Sequence, residues 1–289
     1  MKFSLIVGTL NRRNELQHCL NSLLQQAYKD YEVIIVDQSE DDETKELVNT
    51  YNDQRIIYNK VDFKGLSKAR NYGLKIAGGD YFCLIDDDAY YDESFLANAY
   101  SYLKEKELHR VILSGYIFDT DKEGDFAKYK ESLDGRYLSL SKILNTCPSA
   151  GLVVPMDVIK ECGGFDEELG VGARFGAGEE TDLLIRVYKK GFKVIYRKNL
   201  SLKHPYPPKE KKPGKEEKAE KMGAYYRGFG AVYKKHVFQS FHFYMFLRYL
   251  VVWMKLIVKR LLPFKYDKNR TKAEIKGFKE GLKQYGAKR

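Results

Sequence analysis

Short apolar runs alternate with stripes of helical period along the first hundred residues. Phe3 to Val7 is a β-branched and apolar run, and Leu16, Leu20, Leu23 and Leu24 follow at helical spacing. Tyr31 to Val36 repeats the run, Arg55 to Tyr58 gives a weaker third, Ser67 to Ile76 reads as helix and Tyr81 to Ile85 as the next strand. Strand and helix in alternation mean parallel βαβ units, so the expected fold class is α/β. Such sheets bind ligands beyond the carboxyl ends of their strands. The residues at those ends are Gly8-Thr9-Leu10-Asn11-Arg12, then Asp37-Gln38-Ser39-Glu40-Asp41-Asp42, then Asp86-Asp87-Asp88.

Later the pattern changes. Residues 116 to 150 have little regular periodicity, while Phe238 to Leu262 is rich in Phe, Tyr, Leu and Val but interrupted by Arg248, Lys255, Lys259 and Arg260. No uncharged stretch there is long enough for a spanning helix. At 100° per residue Arg248, Lys255 and Lys259 fall within about 40° of one another, with Phe243, Phe246, Leu250, Trp253, Met254, Ile257 and Leu261 on the other side. This predicts a C-terminal basic amphipathic helical tail, lying either on an anionic membrane surface or with its apolar face on the core domain and its cations in water.

Charge sharpens the division. The net charge is +10, but residues 1–202 hold 27 Lys+Arg against 33 Asp+Glu, and residues 203–289 hold 23 against 7. The sign changes at His204-Pro205-Tyr206-Pro207-Pro208, which cannot continue a helix or a central strand and leads into the Lys/Glu-rich run to Lys221. The expected organisation is a catalytic domain over 1–204, a charged linker over 205–221 and a basic helical tail over 222–289.

With 44% apolar residues in 289, the chain has enough hydrophobic material for folded cores. Four cysteines without a CxxC pair argue against a disulfide framework or a structural zinc site. The run before Asn11-Arg12-Arg13 is too short for a secretory signal, so a cytoplasmic protein, peripheral on the inner face of the cell membrane, is expected. No GxGxxG follows the first strand and no GxxxxGK[ST] occurs, which sets aside dinucleotide and P-loop chemistry.

Three successive carboxylates at a strand end repel one another and call for a neutralising cation. Hard oxygen ligands select Mg²⁺ or Mn²⁺, ions that bind one or two carboxylates together with substrate phosphates. In an extended segment Asp86 and Asp88 face the same way and Asp87 the other. The competing reading is a solvated acidic turn that caps a helix beginning near Asp92.

Val7-Gly8-Thr9-Leu10-Asn11-Arg12, Val36-Asp37-Gln38-Ser39, Gly65-Leu66-Ser67-Lys68-Ala69-Arg70-Asn71, Asp86-Asp87-Asp88, Gly163-Gly164-Phe165-Asp166-Glu167 and Gly178-Glu179-Glu180-Thr181-Asp182-Leu183 follow in order. Together, over residues 3 to about 204, they resemble family 2 glycosyltransferases of the bacterial surface-polysaccharide type. The resemblance implies a GT-A fold, a Rossmann-like mixed, mostly parallel sheet flanked by helices, together with a nucleotide-sugar donor, most simply a UDP-sugar, a divalent metal, and transfer with inversion at the anomeric carbon. By the same resemblance Thr9, Asn11 and Arg12 form the first donor loop, Asp37 and Ser39 read the base, and Lys68 and Arg70 stand beside ribose and phosphates. Asp86 and Asp88 match the metal-binding pattern, Asp87 is counted with the donor site, and His204 resembles the late histidine that completes the metal site. A lone histidine also suits a surface or helix cap. Gly8 departs from the proline usual there and is read as only turning the chain.

Inverting transfer needs a carboxylate to take the acceptor proton. Among Glu179, Glu180 and Asp182, Glu180 lies at the centre of the stripe formed by Leu183, Leu184 and Val187, with Glu179 about 90° and Asp182 about 150° away. Glu180 is therefore expected to point inward as the catalytic base, or to serve as a first-turn cap, and Asp182 to meet water and the helix dipole. The family pattern usually has Asp at the position of Glu180.

Cys147 to Pro155 is expected to receive the acceptor, and Gly170 to Gly178 reads as a mobile lid or a plain loop. The processive QxxRW signature is missing, so single-sugar transfer to a lipid-linked or saccharide acceptor is expected. The alternatives are a nucleotidyltransferase releasing pyrophosphate and a non-catalytic module whose basic tail binds nucleic acid; the lack of a recognition-helix or zinc pattern speaks against nucleic acid as a partner.

Overall fold

The computed structural model describes the chain except residues 107–109, 130, 207, 209–213 and 288–289. It divides into two compact units, Met1–Phe165 with Leu183–Glu210, and Asp166–Asp182 with Lys211–Arg289. This differs from a division at residue 204, because the stretch before Leu183 that carries Glu179, Glu180 and Asp182 groups with the C-terminal helices.

The first unit is built on β1 (Phe3–Thr9), α1 (Arg13–Leu24), β2 (Tyr31–Asp37), α2 (Glu43–Asn49), β3 (Ile56–Lys60), α3 (Leu66–Ile76), β4 (Tyr81–Asp86), β5 (Tyr90–Tyr91), α4 (Phe95–Glu105), β6 (Val111–Asp119), β7 (Gly124–Asp125), α5 (Leu140–Thr146), β8 (Leu152–Pro155), α6 (Asp157–Cys162), the body of α7 (Glu179–Lys189) and β9 (Lys193–Lys203). The strands form one sheet in the order β3-β2-β1-β4-β8-β6-β9-β5, with β7 paired to β6. β3, β2, β1 and β4 are parallel, and β6 and β9 are parallel, whereas β8 pairs antiparallel with β4 and β6.

Alternation within each strand sends side chains to opposite faces. Leu5, Val7, Val33, Ile35, Cys83 and Ile85 join one buried cluster, whereas Ile6, Ile34, Val36, Phe82 and Leu84 join the other. Both faces are covered, as a parallel sheet requires. The end of β6 from Tyr116, and α5, lie where little regular structure was expected. Ser114 and Gly115 interrupt the apolar run of β6, and a register shift falls at Gly115/Tyr116.

The second unit is helical: α8 (Lys215–Tyr233), a π-helical turn (Lys234–Gln239), α9 (Phe243–Leu261) and α10 (Lys268–Gln284). Lys215 to Lys221, expected as linker, are the first turns of α8; residues 207 and 209–213 of that linker lie outside the described residues. α8 and α10 pack with backbones close together, since a Cβ at Gly281 would stand 2.0 Å from the Arg227 carbonyl oxygen. Phe278, fully buried, is the hub of the unit's core, with the rings of Tyr226, Tyr233, Tyr249 and Trp253 around it.

In helix α9, Lys255 and Arg260 are exposed but Arg248 and Lys259 turn to partners within the unit. Lys259 donates to the fully buried Glu274 at 2.6 Å, and Arg248 hydrogen-bonds the side chains of Tyr233 and Tyr244. Tyr244 is on α9 itself, but Tyr233 and Glu274 come from α8 and α10, which a wheel of α9 alone does not contain.

Candidate active site

Strand register gathers the polar rim. Thr9 lies opposite Asp37, Gly8 opposite Asp86 and Asp37 opposite Lys60, so the loops after β1, β2 and β4 leave the sheet side by side. Gly8 sits inside β1, where a Cβ would stand 3.1 Å from Ala69 Cβ of α3, so its small size serves helix-to-strand packing and not a turn. At the far edge, β5 pairs antiparallel with β9, with Tyr90 opposite Lys203. That pairing draws His204 to the acidic triplet.

The triplet is held by side chains of the same unit. Thr9 Oγ1 donates to Asp87 Oδ2 at 2.9 Å, and the Arg12 guanidinium spans two carboxylates, Nη1 to Asp87 Oδ1 at 2.6 Å and Nη2 to Asp88 Oδ2 at 2.8 Å. Arg70, 1% exposed, donates from Nη2 to Asp86 Oδ1 at 3.0 Å and lies over the Phe165 ring. His204 Nε2 stands 3.0 Å from Asp88 Oδ1 and 3.4 Å from Asp86 Oδ2. The neutralising charge inferred from three adjacent carboxylates is thus already present in Arg12 and Arg70, with the His204 imidazole at hydrogen-bond distance. Repulsion within the triplet is no argument for a metal in this arrangement.

The environments of the three aspartates differ. Burial pushes the Asp87 carboxyl up to about 7, against the pull of Arg12. Burial also opposes the charge of Asp88, but hydrogen bonds and charge from His204 and Arg12 outweigh it and hold that carboxyl well below the usual range.

Asp37 is fully buried. Its Oδ1 accepts from the Ser39 backbone N–H at 2.9 Å and its Oδ2 from the Tyr58 hydroxyl at 2.8 Å, while Ser39 Oγ accepts from the Asn11 N–H at 2.9 Å. Asn11 takes a positive φ of 54°, which this residue type tolerates, to bring its amide there. Tyr58 was not singled out from sequence; nothing local marks a tyrosine of β3 as a partner of Asp37 until β3 is known to pair with β2. Gln38 was also passed over, though its Oε1 accepts from the Gly65 N–H at 2.6 Å and so ties the β2 loop to the start of α3. Lys68 and Arg70 do not act as a pair. Two residues apart on α3, they point about 200° apart; Arg70 turns inward to Asp86, and Lys68 remains half-exposed.

Glu180, by contrast, does not occupy the inward position expected of it. It is partly exposed, with Thr181 Oγ1 at 3.4 Å from its carboxylate, whereas Asp182 is fully buried and Glu179 is 5% exposed. Asp182 Oδ1 accepts from Lys235 Nζ at 2.9 Å and lies 2.8 Å from His236 Nε2, and Lys235 also reaches Asp166 Oδ2 at 2.7 Å. The wheel took Leu183, Leu184 and Val187 as the only interior, but the start of α7 has a second one, made by the C-terminal helices. His236, given no role from sequence, is part of it.

Among the described residues no three His, Cys, Asp or Glu side chains form a metal-ligand set as placed, because Asp86, Asp88 and His204 are turned on one another and on the arginines. Their chemistry nevertheless fits a hard divalent cation, with two carboxylates and an imidazole converging at a partly exposed strand end.

Residues 4–151, just over half the chain, match the model of the family described as Glycosyl transferase family 2. The chain belongs to glycosyl transferase family 2. Among its family 2 relatives, the glycosyltransferase GlyA of Streptococcus pneumoniae serotype 4 is 31% identical over 127 residues, 43% of this chain and 18% of that protein. The Escherichia coli UDP-Glc:alpha-D-GlcNAc-diphosphoundecaprenol beta-1,3-glucosyltransferase WfaP is 34% identical over 115 residues, 39% of this chain and 46% of its own length. The matches span less than half of either relative. Among solved structures, Staphylococcus aureus TarS 1–349 superposes with TM-score 0.60 at 21% identity, covering 82% of this chain and 66% of that one. The Pyrobaculum calidifontis mannosyltransferase PcManGT, solved with GDP-Man and Mn²⁺, gives 0.66 at 15% identity, covering 97% and 87%. At these identities the likeness is one of fold, and the fold is the GT-A α/β arrangement.

Proposed function

We propose that this family 2 member is an inverting glycosyltransferase, moving one sugar from a nucleotide-sugar donor, a UDP-sugar, to a hydroxyl of a lipid-linked or saccharide acceptor in surface-polysaccharide synthesis. The observation that carries the reading is the meeting, at the carboxyl ends of β1, β2 and β4, of a buried Asp37–Ser39–Tyr58 network with the Asp86–Asp88–His204 cluster. The first offers carboxylate and hydroxyl groups for a base, the second the donors for a diphosphate-bound cation. The relatives' names support the substrate classes: WfaP acts on a diphosphoundecaprenol-linked sugar, a Bacillus spizizenii relative is a poly(ribitol-phosphate) beta-glucosyltransferase, and TarS was solved with UDP-GlcNAc. The site of action is the inner face of the cell membrane.

In this reading Asp86, Asp88 and His204 hold Mg²⁺ or Mn²⁺. Such an ion supplies positive charge to a departing diphosphate. Arg12, whose side chain is 35% exposed against 1% for Arg70 and 19% for His204, is the cation best able to turn from Asp87 and Asp88 toward the phosphates. Arg70, donating from α3, holds the Asp86 carboxylate in place. Thr9 and Asn11 shape the donor loop, and Lys68 adds charge at its rim. Glu180 takes the proton from the acceptor hydroxyl.

The test measures donor binding by thermal shift across a panel of nucleotide sugars with and without Mn²⁺, followed by turnover of Glu180→Gln. We expect a donor that stabilises the chain only with the ion, and a fall in turnover of about 10²- to 10⁴-fold in Glu180→Gln with donor binding intact. Undiminished turnover would remove Glu180 as the base, and the absence of any stabilising donor would remove the reading itself.

A further inference from the structure

Helix α9 presents two unlike faces. Toward its own unit it buries Met245 and Leu256, each 1% exposed, and engages Arg248 and Lys259 with the neighbouring helices. Away from the unit, Phe243, Leu247, Leu250, Met254, Ile257 and Leu261 fall within an arc of about 80° at 100° per residue. These six are between 41% and 70% exposed, and Phe264, just beyond the helix, is 87% exposed. A continuous apolar strip on this scale marks a docking surface.

Its borders name the occupant. Exposed Lys255 and Arg260 stand on opposite shoulders of the strip, exposed Lys265 follows it, and no carboxylate occurs from Phe238 to Tyr266. A second copy laid on the same face would bring cationic shoulders against cationic shoulders in either helix direction, a like-charge contact that specific interfaces avoid. An anionic lipid surface complements both features, accepting the apolar strip below the headgroups and the cations among them. Among the described residues no helix is long and apolar enough to cross a membrane. We propose that α9 lies in the plane of an anionic bilayer, with Met254 at the centre of the inserted face and Lys255, Arg260 and Lys265 at headgroup level. Arg248 and Lys259 take no part, because their partners are within the protein. The inference deepens the reading above and rests on it for its purpose, since a lipid-linked acceptor would be met on this surface.

The full chain is sedimented with vesicles of phosphatidylcholine alone and of phosphatidylcholine mixed with phosphatidylglycerol. Trp253, the only tryptophan, is followed by quenching with brominated lipid. We expect pelleting with the anionic vesicles, loss of about tenfold or more in partitioning for Met254→Glu/Ile257→Glu with an unchanged melting curve, and a smaller loss, confined to the anionic vesicles, for Lys255→Gln/Arg260→Gln. Arg248→Gln should leave partitioning as in the parent chain. Absence of pelleting would overturn the proposal, as would unchanged binding in the double glutamate variant. So would a dimer in solution that this variant converts to monomer without altering vesicle binding. Vesicle binding requires no donor, so a chain that binds lipid but no nucleotide sugar would refute the enzymatic reading alone, and the reverse result would refute only this one.

Discussion

Two clusters of acidic side chains in this protein look alike on paper and differ in kind. In the first unit Asp86, Asp87 and Asp88 are engaged by Arg12, Arg70 and His204; in the second, Asp166 and Asp182 are engaged by Lys235, His236 and Tyr285. Each has a buried centre, Asp87, Asp88 and Arg70 in the first and Asp182 and His236 in the second, but the outer side chains of the first, Asp86 and Arg12, are 25% and 35% exposed against 16% and 24% for Asp166 and Lys235. A partly hydrated cluster exchanges one cation for another at small cost, because water covers the intermediate. A dry one loses several kcal/mol when a partner goes missing. In the proposed reading this difference separates a ligand site from a structural tie, although both place carboxylates beside basic side chains.

The contrast breaks most readily at Asp182. Replacing it with Ala leaves Lys235 and the buried His236 without their shared carboxylate, and a loss of about 3–5 kcal/mol is expected in urea unfolding followed by Trp253 emission. A loss no larger than that of an ordinary surface substitution would mean the second cluster is as replaceable as the first. Asp88→Asn tests the other side. Asp88 is buried and held ionised by His204 and Arg12, so some stability is lost, but less than at Asp182, since an amide oxygen remains to accept and Arg12 keeps Asp87, while affinity for Mn²⁺ with a nucleotide sugar should fall about 10- to 100-fold by calorimetry. A large stability loss with unchanged affinity would reverse the two roles.

What could be read from sequence follows the same division. The β1, β2 and β4 ends were legible because apolar runs of period two stop abruptly at Thr9, Asp37 and Asp86, and parallel topology brings such stops together. The partners at those ends were not. Tyr58 reaches Asp37, and His204 reaches Asp88, only through the pairing of β3 with β2 and of β5 with β9, contacts set by register between distant segments. The start of α7 misled for a related reason: a wheel centred on Leu183, Leu184 and Val187 does not contain Lys235 and His236, so Glu179 and Asp182, and not Glu180, are the buried carboxylates. On α9 the periodicity found both faces. It could not tell that Glu274 and Tyr233 would draw Lys259 and Arg248 inward and leave the apolar strip outside.

The smallest expected effect is also the most selective, the acid dependence of the second unit. Burial alone would raise the Asp166 carboxyl, but hydrogen bonds from Lys235 and Tyr285, the Lys235 charge and the Glu168 N–H outweigh it and hold the group below its usual range. A carboxyl whose folded value is depressed binds fewer protons folded than unfolded near its ordinary pKa, so its contribution is complete above about pH 4 and drains away as the pH falls toward the folded value. Glu32 in the first unit is depressed in the same direction, against burial, by Lys2, the Gly78 N–H and Ser4, so circular dichroism of the whole chain mixes two acid limbs. Trp253, packed on Phe278 of the second unit, isolates one. Its urea midpoint should fall as pH is lowered below about 4, and Asp166→Asn should flatten that limb. Equal acid limbs in variant and parent would mean that Lys235 is held by Asp182 alone, and the second cluster would shrink to Asp182 with Lys235 and His236.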